Sequence, residues 1–141
     1  MFRKILVGLD GSEGSWKALR AALALSKLER DCEVWAVSVE EHLPRMPEVI
    51  DELAEEKERE NAIFASLHRE AIDAAKAAGV DLRVQTIVGH AAQGIVRFAE
   101  QGGLDLLVIG HSGRSGVWGT FLGSTADKIV RHSKCAVLVV R

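Results

Sequence analysis

Five short apolar runs alternate along this chain with stretches of helical periodicity, and that alternation sets the fold class before any single residue is weighed. Ile5 to Leu9, Glu33 to Val39, Leu82 to Val88, Leu104 to Ile109 and Ala136 to Val140 are rich in Val, Ile and Leu with little polar alternation. Such runs read as strands covered on both faces, the pattern of a parallel sheet. A first helix, Glu13 to Leu28, places Trp16, Leu19, Ala22 and Leu23 on one stripe. Another, Ala91 to Gln101, does the same with Ile95, Phe98 and Ala99 and stops at Gly102-Gly103, and the last, Ser124 to His132, turns Ala126, Ile129 and Val130 inward. Strand and helix in strict alternation, with right-handed crossovers, predict a doubly wound α/β sandwich on a five-stranded parallel sheet. The 141 residues fit one domain, residues 1–141, with no repeat, linker or low-complexity tract.

The second connection is unusual. As one straight helix, Pro47 to Ala78 would run roughly 48 Å at ~1.5 Å per residue, longer than a domain of this size is wide, so part of it must overhang or break. Phe64, Leu67, Ala71, Ala75 and Ala78 form its apolar stripe, whereas residues 51–60 are mostly charged. Two readings stand for that charge run: a solvated helix carrying i,i+4 pairs, or a mobile flap or docking surface beside a binding site.

Two loops carry the distinctive chemistry, Leu9 to Ser15 after the first strand and Gly110 to Thr125 after the fourth. In a doubly wound sheet, the crevice lies at the strand ends where strand order reverses, and both loops would line it. The second passes through five glycines before entering a helix. Glycines let backbone N–H groups approach an anion closely, and a helix N-terminus adds unpaired donors with a favourable dipole, so this is a phosphate-binding arrangement. Gly110, Gly113 and Gly123 would admit phosphates, with Ser124 and Thr125 offering N–H and hydroxyl donors; alternatively, Ser124 simply caps the helix. Asp10 would repel phosphates but accept hydrogen bonds from ribose hydroxyls or a base amino group; alternatively, Asp10-Gly11-Ser12-Glu13 is a helix capping box.

The run Ile5-Leu6-Val7-Gly8-Leu9-Asp10-Gly11-Ser12-Glu13-Gly14-Ser15-Trp16-Lys17-Ala18-Leu19 and the pattern Gly-x2-Gly-x9-Gly-Ser, met by Gly110, Gly113, Gly123 and Ser124, resemble the universal stress proteins. The likeness extends along the whole chain to Cys135-Ala136-Val137-Leu138-Val139-Val140, and the glycine spacing resembles that of the ATP-binding branch. The resemblance implies an adenine nucleotide alpha hydrolase-like sandwich with strand order 3-2-1-4-5. It further implies a homodimer and ATP held across the first and fourth strand ends by Asp10, Val39, Ile109, Gly110, Gly113, Arg114, Gly123, Ser124 and Thr125. Val39 matches the position whose backbone meets adenine in the family. Gly8 stands where many relatives have proline, and His111-Ser112 reverses the order common among them.

The loop lacks the Gly-x4-Gly-Lys-Ser/Thr pattern of a P-loop NTPase. Positive charge would come from Arg114 or Lys128 and from a bound Mg2+. Efficient hydrolysis needs a positioned water and a group to orient or deprotonate it, and no residue stands out as that base. The expected function is therefore an ATP-binding, non-enzymatic stress-response sensor or regulatory module whose occupancy tunes the dimer or the surface offered to a regulatory protein. Two alternatives are a slow ATPase or phosphotransferase and a nucleotide-free interaction scaffold.

The net charge of −2 with scattered basic residues gives no field for nucleic acid or an anionic membrane. The N-terminal apolar run is too short for a signal peptide and no stretch reaches membrane length, so the expected location is cytoplasmic. The five histidines show no zinc-like spacing. Cys32 and Cys135 begin the second and fifth strands, about three strand spacings or ~14 Å apart in the implied order, too far for an intrachain disulfide. Trp118 either closes over the nucleotide or anchors its loop or a dimer contact. An apolar edge at Ala136 to Val140 would recruit another strand, so dimerisation through the fifth strand is expected.

Overall fold

A computed structural model describes residues 1–41, 50–112 and 122–141, the side chains of residues 50–53 excepted. Its elements are β1 (Lys4–Gly8), α1 (Glu13–Ser26), β2 (Glu33–Glu40), α2 (Ile50–Ala77), β3 (Leu82–Val88), α3 (Ala91–Gly102), β4 (Leu106–Gly110), α4 (Ser124–His132) and β5 (Ala136–Val140). The strands form one parallel sheet in the order β3-β2-β1-β4-β5. Strand order reverses between β1 and β4, as the resemblance to the universal stress proteins implies, so the loops after these strands emerge side by side.

The two-residue period of a strand divides the core into two layers. Ile5 and Val7 of β1, with Val34, Ala36, Leu106 and Val108, face α1 and α2, where Leu19, Ala22, Leu67 and Ala71 meet them. Leu6, Val37, Leu107 and Ile109 face the opposite way, against Ile95, Ala99, Ala126 and Ile129. Each Val, Leu or Ile among them, fully buried, contributes about 1.5–3 kcal/mol, so β1 and β4 hold the sheet together from its centre.

The edges depart from the expectation of burial on both faces. Val88 on β3 and Leu138 on β5 are 56% and 36% exposed, because each outer strand has a neighbour on one side only. Val130, expected inward on α4, is exposed as well. The remaining corrections lie at element ends. The fourth strand starts at Leu106 rather than Leu104: Leu104 donates its N–H to Ala99 O in closing α3, and the Asp105 carboxylate accepts the N–H groups of Arg3 and Lys4. α1 ends at Ser26, where Ser26 Oγ bonds back to Leu23 O at 2.7 Å and the next turn tightens.

α2 runs unbroken from Ile50 to Ala77, so over these residues the long connection overhangs rather than breaks; residues 47–49 lie outside the described residues. Leu67, Ala71 and Ala75 are buried, with Phe64 and Ala78 packed beside them, as the stripe predicts. Nearer the N-terminus the described residues are mostly exposed, and Arg59 pairs with Glu55 one turn away at 3.7 Å, which accords with the solvated-helix reading.

Candidate functional site

Where β1 ends, the chain is fixed by a short relay. Leu9 N–H donates to Val37 O at 2.9 Å, and Leu9 O accepts from Ser38 Oγ at 2.6 Å. Ser38 has one hydroxyl proton and spends it there, so its 2.8 Å contact with His68 Nε2 is a bond that the imidazole donates. Burial pushes His68 below the ordinary histidine range and favours its neutral form, which carries the proton on Nε2. A residue of α2 thus clamps the backbone next to Asp10.

The Asp10 carboxylate accepts the Ser12 N–H at 2.8 Å across Gly11, whose φ of 86° suits a residue without Cβ. Ser12 caps α1, its Oγ accepting from Ser15 N–H at 3.2 Å, and Ser15 Oγ donates to Ser12 O at 2.9 Å. The capping box expected at Asp10 to Glu13 does not form: Ser12 is the cap, and its own N–H goes back to Asp10, two residues earlier, rather than to a side chain in the first turn.

Gly14 and Gly110 bring the two loops into contact. A Cβ on Gly110 would stand 2.7 Å from Gly14 C, and one on Gly14 would stand 2.6 Å from Ser112 O, so backbone meets backbone with no room for a side chain. Sequence reasoning counted Gly110 as part of the cradle but passed over Gly14. Its signal was present: a glycine in the first turn of a helix sacrifices propensity unless something packs against it.

α4 begins differently from α1. Its N-cap is Gly123, with no side-chain cap bond, which corrects the reading of Ser124 as the cap. Gly123 N–H is committed to His111 O at 2.9 Å, and Asp127 N–H takes Gly123 O at 2.8 Å. Helix geometry then leaves the N–H groups of Ser124, Thr125 and Ala126 without an intrahelical acceptor. All three residues line the crevice.

The end of β2 supplies the other wall. Val37 O points to β1 and Glu40 O accepts Gly89 N–H from the β3 side, so by the two-residue period the Val39 N–H and C=O point toward β1, which has already turned away at Leu9. The crevice between these walls has a volume of about 540 Å³, ample for a small ligand. Of the residues predicted from sequence, Asp10, Val39, Ile109, Gly110, Gly123, Ser124 and Thr125 all line it. Gly113, Arg114 and Trp118 lie outside the described residues. Lys128 is exposed and His111 half-buried, and neither is among the lining residues. Glu40, Glu41 and the α2 residues Glu60, Ile63 and Phe64 also line the crevice and were not singled out, because β2 reads one residue short and α2 reads only as core and charge.

Both cysteines are free thiols and half-buried rather than enclosed. Burial, reinforced by Asp105 and Glu29, pushes the Cys32 thiol up and makes it a poor nucleophile. Among the described residues no helix is long and apolar enough to cross a membrane.

The Universal stress protein family profile matches residues 1–141. The universal stress protein YxiE of Bacillus subtilis is 34% identical over 154 residues, covering all of both chains. Among solved structures, the universal stress protein UspA from Lactobacillus plantarum superposes with a TM-score of 0.90 at 24% identity, over 99% of this chain and 98% of that one. A universal stress protein solved in complex with cAMP superposes with a TM-score of 0.74 at 31% identity, over 99% and 97% of the two chains.

Proposed function

Given that the chain belongs to the universal stress protein family, we propose that its crevice retains an adenine nucleotide, ATP with Mg2+, and that the protein acts as a regulatory module rather than as an enzyme. The observation that carries this reading is the uncapped N-terminus of α4 opening on the same crevice as Asp10 and Val39. The relative solved with cAMP, at 31% identity, supports an adenine nucleotide as the ligand class.

The chemistry assigns the ends of the ligand. Val39 offers an N–H and a C=O side by side, which complement the N1 acceptor and 6-amino donor of adenine and mismatch the reversed pattern of a 6-oxo purine. Asp10 accepts from ribose hydroxyls, and Ile109 provides apolar wall. The phosphates take the N–H groups of Ser124, Thr125 and Ala126 at the positive end of the α4 dipole. Gly123, its own N–H already engaged, contributes closeness of approach instead of a donor. Gly110 and Gly113 serve the same cradle, and Arg114 adds charge. Mg2+ favours hard oxygen ligands; the hydroxyls of Ser124 and Thr125 on the crevice suit it, and the ion would neutralise phosphate charge.

Topology argues against efficient turnover. The carboxylates of the crevice come from the ends of β1 and β2 and from α2, whereas the α4 donors lie on the far side of β1, beyond β4. A base on the nucleoside side is badly placed to deprotonate water at a terminal phosphate. Rapid single-turnover phosphate release by protein free of contaminating ATPase would overturn this part of the reading.

We further propose a cytoplasmic homodimer joined at β5, whose open edge and exposed Leu138 would pair with the same strand of a second copy. Light scattering with only monomer at micromolar protein, with and without ATP, would refute it. The test of the whole is calorimetric titration of nucleotide-stripped protein with MgATP, alongside Gly123→Val. Saturable binding near one ATP per chain, lost in the folded variant, is expected; no binding by folded wild-type protein would point instead to an interaction scaffold.

A further inference from the structure

Glu40 closes β2 in an unusual state. It is only 8% exposed, and among the described residues its carboxylate has no hydrogen-bond or salt-bridge partner. A carboxylate held in this way keeps its acceptor capacity for a donor that comes from outside the described residues. Among the described residues no side-chain oxygen is both fully enclosed and unbonded, so the Glu40 oxygens keep an opening, and the space Glu40 lines is the crevice. By the two-residue period its side chain shares a face with Ser38, whose hydroxyl meets α2 at His68, so the carboxylate enters the crevice from the α2 side, where Phe64 also lines it. Among the described residues no group of His, Cys, Asp and Glu has the makings of a metal site, which leaves an N–H or O–H donor as the ligand.

Resting on the nucleotide reading, we propose that Glu40 selects the base: its carboxylate accepts a hydrogen of the 6-amino group that adenine presents to the end of β2. Glu40 follows the Val39 C=O directly in the chain. An exocyclic amino group has two hydrogens, one for the Val39 carbonyl and the second for Glu40. A 6-oxo purine brings an oxygen to the same place, where it faces a carboxylate and a carbonyl and is repelled by both. The pair thus divides recognition between a backbone group, which substitution cannot remove, and a side chain, which it can.

The test compares MgATP, MgITP and the magnesium salt of purine riboside 5′-triphosphate, which lacks any 6-substituent, by calorimetry on wild-type protein, Glu40→Ala and Glu40→Gln. Losing a hydrogen bond to a charged group is expected to weaken ATP binding by about tenfold or more in Glu40→Ala. Purine riboside triphosphate, with no amino group to lose, should bind that variant as it binds wild type. The ATP preference over ITP should shrink by at least that factor, because the variant also stops repelling the oxygen of ITP. Glu40→Gln, which keeps the shape, decides the matter if the alanine variant fails to fold, and should also shrink the preference, because its amide can donate to the oxygen of ITP. Wild-type protein that binds ATP and ITP alike, or variants with an unchanged ATP-to-ITP ratio, would overturn the role of Glu40 while leaving the nucleotide reading standing. Wild-type protein that binds none of the three would overturn both.

Discussion

α1 and α4 both begin at the crevice, yet their N-termini are built in opposite ways. At α1 side chains close the terminus: Ser12 Oγ accepts the Ser15 N–H, Ser15 Oγ donates to Ser12 O, and the Asp10 carboxylate takes the Ser12 N–H. At α4 the cap is a glycine without a side chain, and three N–H groups face the crevice. The first terminus is closed by its own side chains, and the second leaves its donors to the ligand proposed above. The contrast shows that a glycine-rich approach is informative when the helix behind it is left uncapped, not merely because the loop can bend.

The two termini share one crevice only because Gly14 and Gly110 let α1 and β4 touch. Gly110→Ala should therefore have the largest effect, a loss of about 2–3 kcal/mol as overpacked backbone is forced apart, read by urea unfolding. Gly14→Ala should cost a similar amount, and the double variant less than the sum, since both break one contact. Native stability in either single variant would mean the loops are not in tight contact and would break the comparison. Next comes the cap itself. Ser12→Ala should cost about 1 kcal/mol, whereas Gly123→Ser should change stability by only about a few tenths of a kcal/mol. Equal effects in urea would erase the distinction between a finished and an open terminus.

The smallest effect is in pH. His68 helps to hold the finished side through Ser38 and Leu9, and burial depresses its proton affinity below the ordinary value of 6.5. Between the depressed value and 6.5 the unfolded chain binds a proton that the folded chain does not, so stability rises with pH across that window and is lost as pH falls through it. His68→Gln keeps an N–H for Ser38 without the titration. Unfolding midpoints from pH 7 down to pH 5 should fall less steeply in this variant than in wild type, and parallel curves would show that His68 is not the group responsible.

Much of the sheet is legible in the chain because the central strands are buried on both faces, and unbroken runs such as Ile5 to Val7 and Leu106 to Ile109 record it directly. Strand order came through the family resemblance, not from the runs themselves. The edges were misjudged for the converse reason: Leu138 and Val88 are as apolar as core residues, and only topology decides that one side is open. Asp10, Gly110 and Gly123 stand out because their types are costly unless used. Glu40 stayed hidden in a strand-end context where a glutamate reads as surface, and the Ser38–His68 bond joins residues that no local period connects. The N-cap of α4 fell one residue from its expected place because Ser124 looks like a cap and Gly123 is one.

The pairing of β1 with β4 also governs when the crevice can exist. The Asp105 carboxylate that meets Lys4 N–H lies 101 residues downstream of it, and α4 follows later still. During synthesis β1, α1 and β2 can associate early through local contacts, but the wall opposite them is absent until the final third of the chain has emerged. Contacts so distant in sequence form slowly. A ligand that bridges both sides therefore cannot act as a template for the early steps; it can only hold the finished molecule against reopening, so its signature should be slower unfolding rather than faster folding.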